Sequence, residues 1–146
     1  MSNMIKDFEW YKKEGIAYAV KPDRKKATWL KKKAAIESEF IERIQSWQEL
    51  ERFKHILVEV SYSCLMKLVR SLLYVKGYAT KGQGSHKAEI AFLDSENVNQ
   101  ATIKNLDTFR KVRNKIKYSG TMVTYTQPEI YQMFRKIYED IDKAHV

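Results

Sequence analysis

The residues of this chain best suited to chemistry lie in one short stretch, "LDTFRKVRNKIKYSG" from Leu106 to Gly120. Arg113 stands at its centre. A guanidinium is permanently charged, and its planar fork can hold a phosphate through two parallel hydrogen bonds. Asn114 can orient polar groups beside it, and Arg110, Lys111, Lys115 and Lys117 raise the positive potential around it. Tyr118 offers a phenol that can hydrogen-bond a phosphate. An unperturbed phenol titrates at about 10 and is a poor base at neutral pH.

Arg113 is placed oddly for a cation. At about 100° per residue, Leu106, Phe109, Val112 and Ile116 share one helical face, with Val98 and Thr102 extending it upstream. Arg113 projects between the directions of Leu106 and Phe109. On one reading it snorkels past a core edge or pairs with an acid on another helix. On the other, Arg113, Asn114 and Lys117 form a polar notch at a helix–helix or dimer seam, where a phosphate could sit.

Other chemistry has less support. His55, His86 and His145 are far apart, and none lies in a metal-ligand spacing. Cys64 sits among apolar residues, where a thiol is normally inert filling. Gly82 and Gly84 lack the preceding strand and following Gly-Lys-Ser/Thr of a phosphate loop. His86 follows that glycine loop and reads as a helix-start residue, with a functional role as the alternative. Neither a metal nor a cofactor is expected.

The chain has 146 residues, with 44% hydrophobic and 31% charged, which suits one globular domain spanning residues 1–146. Five Gly and two Pro leave few breakers and favour helices. The absence of a long apolar run or apolar leader, together with a single cysteine, leads to the expectation of a cytoplasmic protein with no membrane partner. A net charge of +9 points to nucleic-acid phosphates or an acidic partner.

The elements that must position Arg113 follow from periodicity. Helical segments are expected at about Met4–Val20, Asp23–Gln45, Ser46–Val75, His86–Leu93 and Val98–Tyr118, the last of these stopping at Ser119-Gly120, and a final helix beginning at Thr126–Glu129. "SWQE" and "TQPE" both have the form of a capping box. Ile5, Phe8, Trp10, Tyr11 and Ile16 mark the first segment's apolar positions. Ala27, Leu30, Ala34, Phe40, Ile41 and Ile44 mark those of the second, which also carries a basic cluster from Lys21 to Lys33. "KGYATKGQGS", Lys76 to Ser85, reads as a flexible loop. The segment Val60–Leu73 is the densest in Leu, Val, Met and Cys, so it should be the central, most buried helix. The architecture expected is an all-α bundle.

Three of these segments resemble a known family. "RNKIKY" at Arg113–Tyr118 is similar to the Arg-Asn-x3-His signature of HEPN domains. "SCLMKLVRSLLYVKGY" resembles the family's long apolar helix and "SHKAEIAFL" its short one. The resemblance implies a bundle of four to five helices that forms a homodimer through the signature helix. It further implies a cleft in which arginine binds the scissile phosphate of RNA, the next polar residue orients groups, and histidine carries protons without a metal. Arg113, Asn114 and Tyr118 hold those catalytic positions, and Arg110, Arg113 and Lys117 the nucleic-acid contacts. Tyr118 replaces the histidine, so ribonuclease activity is expected to be weak or absent. Some family members are toxins paired with a nucleotidyltransferase-type antitoxin, and others are non-catalytic binding modules. The reading is therefore an RNA- or nucleotide-binding component of a toxin–antitoxin system. A helical dimerisation module and an active metal-independent endoribonuclease are the alternatives.

Overall fold

The structure is a computed structural model and describes residues 4–119 and 122–145. It is mostly helical, with six α-helices and a two-stranded sheet among the described residues. In chain order the elements are α1 (Phe8–Lys13), β1 (Ala17–Ala19), α2 (Arg24–Ile44), α3 (Lys54–Lys76), β2 (Tyr78–Thr80), α4 (Ser85–Phe92), α5 (Gln100–Ser119) and α6 (Gln127–Ala144). No helix among the described residues is long and apolar enough to cross a membrane.

The central helix is the one its composition predicts. Leu57, Val58, Leu65, Met66, Leu68, Val69, Leu72 and Leu73 of α3 are all buried, and α2, α4, α5 and α6 pack around them. Burying each such side chain is worth roughly 1.5–3 kcal/mol. α2 lies antiparallel on α3 through small residues. Ser71 Oγ donates to the Ala27 carbonyl at 2.6 Å and Cys64 Sγ to that of Ala34 at 3.2 Å. Burial pushes the Cys64 thiol up to about 12, so it stays protonated at neutral pH. On α6 the expected capping box forms: Thr126 Oγ accepts from the Glu129 N–H, and the Glu129 carboxylate accepts from the Thr126 N–H.

Several expectations need correction. The first helix is only Phe8–Lys13, because Gly15 turns the chain at φ 74° and releases it into β1. The loop after α3 is partly strand: Ala17, Tyr18 and Ala19 pair antiparallel with Thr80, Ala79 and Tyr78. Three residues per strand were too short to show a two-residue alternation. The break near Ser46 is real, but "SWQE" does not cap a helix. A 3-10 turn at Leu50–Phe53 intervenes, and α3 starts at Lys54. Trp10 and Phe40, expected on apolar faces, are exposed. The predicted stop of α5 at Ser119-Gly120 falls partly outside the described residues, since Gly120 is among those not described.

Gly77 joins α3 to β2 and is the most constrained turn. Its φ is +85°, and a Cβ there would lie 2.9 Å from the Val20 carbonyl oxygen and 3.3 Å from the Pro22 ring. The Gly77 carbonyl meanwhile accepts from the Val20 N–H at 2.8 Å, so the two segments cannot part without losing that bond. Gly77→Ala is expected to cost about 1–3 kcal/mol, measurable as a lower urea midpoint. Gly82→Ala has the positive φ but open space around it, and should cost less.

Candidate phosphate-binding site on α3, α4 and α5

Arg113 lies at the centre of the inward face of α5, and the structure shows what receives it. Leu106 and Phe109 are buried on either side of its direction. One helical level further on, the wall opposite is Tyr62 of α3 rather than an aliphatic side chain. The Arg113 guanidinium carbon stands 5.5 Å from the Tyr62 ring centroid, an attraction worth about 0.5–2 kcal/mol depending on desolvation. Its Nη1 donates to Asn114 Oδ1 at 3.2 Å. The cation is thus held at the core margin by a ring face and a neighbouring amide.

Tyr62 in turn belongs to a partly buried polar network. Its hydroxyl lies 3.0 Å from His86 Nδ1 on α4, and His86 Nε2 lies 3.2 Å from Arg70 Nη2 on α3. A guanidinium can only donate, so neutral His86 must accept at Nε2 and carry its proton on Nδ1, which donates to Tyr62. Arg70 Nε also donates to Glu89 Oε2 at 2.9 Å, and Thr80 Oγ donates to the same oxygen at 3.0 Å. Glu89 is buried, and its Oε1 has no partner among the described residues.

Guanidiniums outnumber carboxylates at this site. Arg70, Arg110 and Arg113 all act on Tyr62 and His86, opposed mainly by Glu89. Burial raises the Tyr62 pKa, with the Glu89 charge adding to it and the three guanidiniums opposing it. Burial also lowers that of His86. Glu89 resists this shift, while Arg70, Arg113 and Arg110 reinforce it. His145, which caps α6 with Nε2 3.0 Å from the Leu68 carbonyl, is lowered by burial too.

These shifts have a sign that can be checked. A histidine whose folded pKa lies below its unfolded value contributes stability present above the unfolded pKa, near 6.5, and lost as pH falls through the folded one. Protonating His86 would also turn Nε2 into a donor facing the donor-only Arg70. Chemical denaturation should therefore give constant stability above about pH 7 and a decline towards pH 5. That decline should be shallower in His86→Gln. An unchanged slope in His86→Gln would show that His86 does not contribute to it.

The structure brings together only part of the predicted set. Arg113 and Asn114 touch. Lys117, four residues on from Arg113, is about 40° round the helix from it and exposed. Arg110 is turned inward, only 4% exposed, with Nε donating to Asp107 at 2.7 Å. It therefore shapes the field rather than reaching solvent. Tyr118 lies about 140° round the helix from Arg113 and is 72% exposed, with Lys117 Nζ over its ring. Arg113 and Tyr118 of one chain thus point apart.

Tyr62, Arg70 and Glu89 were not identified from the sequence, and His86 was weighed as a helix-start residue. The available signal was polarity out of place. Tyr62 and Arg70 interrupt the most apolar helix, and Glu89 sits within "AEIAFL". Among the described residues, no three His, Cys, Asp or Glu side chains converge as a metal site would require. Beyond Arg113 on α5, half-buried Val112 and Ile116 line a shallow cleft with Met122, Val123 and Tyr125, and Lys111 and Lys115 line it too. Comparison with known proteins yields no match: no family model, no curated protein and no solved structure is significantly similar to this chain.

Proposed function

We propose that this is a HEPN-like protein that binds RNA or nucleotide phosphate through Arg113, as a component of a toxin–antitoxin system with weak or absent ribonuclease activity. The observation that carries the reading is the convergence of Arg70, Arg110 and Arg113 around Tyr62 and His86. Three guanidiniums share this corner with two carboxylates, Glu89 and Asp107. The excess positive charge lies where α5 would otherwise be apolar. A phosphate beside Arg113 would neutralise it, and Arg113 can turn outward by giving up a ring contact and one hydrogen bond.

In this reading the protein is a homodimer. Val112 and Ile116 remain half exposed, and Met122 is 85% exposed, so a two-fold contact along α5 would bury apolar area. A cleft shared by Arg113 of one protomer and Tyr118 of its partner, which a single chain does not form, would need that contact to reach round α5 from Val112 and Ile116 to the Tyr118 side. A nucleotidyltransferase-type antitoxin is the partner that the family resemblance suggests.

The rival reading is a helical interaction module in which Arg113 is a structural cross-link, favoured by its contacts with Tyr62 and Asn114. Sedimentation velocity with and without fluorescent single-stranded RNA separates the two. The proposal expects a dimer that carries RNA, and an Arg113→Ala dimer that does not. A variant that loses the dimer itself supports the rival.

A further inference from the structure

The Arg113 site leaves one conspicuous surface unused, the outward face of α2. That helix buries Ala27, Leu30, Ala34, Ser38 and Ile41. On the opposite side, Trp29, Ile36 and Phe40 are 55%, 65% and 54% exposed. Steps of seven and four residues place them within about 40° of one another and along roughly 16 Å of helix. Isolated exposed apolar side chains are ordinary, whereas a line of three large ones marks an interaction surface.

Cations flank the line. Lys25, Lys32 and Arg43 lie along one side and Lys33 along the other, with Lys33 Nζ 5.3 Å from the Trp29 ring centroid. Glu39 is the acid on this face, and Arg43 already holds it at 2.7 Å. An occupant must therefore supply both apolar side chains and carboxylates.

We propose that this face of α2 binds an acidic amphipathic helix of a partner protein. Spacing of seven and four is how one helix meets another laid alongside it, with charges at the flanking positions choosing the partner. A second copy laid antiparallel along this line would set the Lys25 end of each helix against the Arg43 end of the other. Single-stranded nucleic acid needs a run of aromatic platforms. Here the most exposed of the three, Ile36, has no ring, so the line offers two separated rings and no run of platforms. The surface is independent of the phosphate site, which is built on α3, α4 and α5.

The test uses a fluorescent peptide of about three heptads, with leucine at the seam positions and glutamate at the flanking ones. A lysine-flanked version and labelled oligouridylate are run beside it. The full-length protein should bind the acidic peptide and not the lysine version, and binding should weaken with salt. Ile36→Ser/Phe40→Ser should weaken it at least about tenfold while melting as the wild type does, since both positions are exposed. Arg113→Ala should leave it unchanged. The proposal is overturned if the acidic peptide does not bind or binds the double variant equally. It is also overturned if the double variant instead loses oligouridylate, which would make this an RNA track, or loses self-association, which would make the occupant a second copy.

Discussion

Arg70→Ala is expected to destabilise the protein by about 2–3 kcal/mol, the largest single effect at the site. Glu89 is the reason. Its side chain is 5% exposed and its Oε1 is already unpartnered, so Arg70 and Thr80 are the donors that stabilise its charge. Removing the guanidinium leaves a buried carboxylate with one neutral hydroxyl. The same change strips the donor from His86 Nε2 and loosens the tautomer that fixes Tyr62. For a chain of this size the melting temperature should fall by roughly 10 °C. Arg70→Met/Glu89→Leu should recover most of that loss, because replacing both members of this half-buried pair removes the uncompensated charge. A single Arg70→Ala that melts within a degree or two of wild type would show that the pair does not hold α4 on α3.

Tyr118→His is expected to create or raise metal-independent RNA cleavage, by up to about 10²–10⁴-fold, the usual worth of general acid–base catalysis. The substitution is on an exposed side chain, so folding should survive it. Histidine titrates near neutral pH where tyrosine does not. In one chain the new imidazole would point about 140° away from Arg113, so the gain requires two copies to share a cleft. Cleavage assayed in EDTA should therefore rise in Tyr118→His and vanish in Tyr118→His/Arg113→Ala. Vigorous cleavage by the wild type, unchanged by Tyr118→His, would refute the role given to this position.

Local sequence signals revealed what depends on helical periodicity and caps. The burial of α3, the Asp23 start of α2 and the Thr126 capping box all follow from residue type at fixed spacing. β1 and β2 were hidden because each is three residues long and exists only through the other, across the whole of α2 and α3. At the site, the inward aim of Arg113 was visible in the periodicity of α5. Its receiving ring was not, because Tyr62 comes from another helix and His86 from a third. No local pattern links Tyr62, Arg70, His86 and Glu89. Tertiary packing alone brings them together. The outward line of Trp29, Ile36 and Phe40 was obscured for a related reason: α2 carries apolar residues on both faces, and only the packing of α3 shows which face is covered.

The most direct test of the account is RNA affinity measured at 50 and 200 mM salt for the wild type, Arg113→Lys and Arg113→Ala. Phosphate contacts release counterions, so wild-type affinity should fall roughly 10³-fold between those salts if about six phosphates are engaged. Arg113→Ala should bind at least about tenfold more weakly at 50 mM. Arg113→Lys should fall between, keeping the charge but losing the two-pronged geometry. Equal binding by wild type and Arg113→Ala at both salts would contradict the assignment of this site to phosphate.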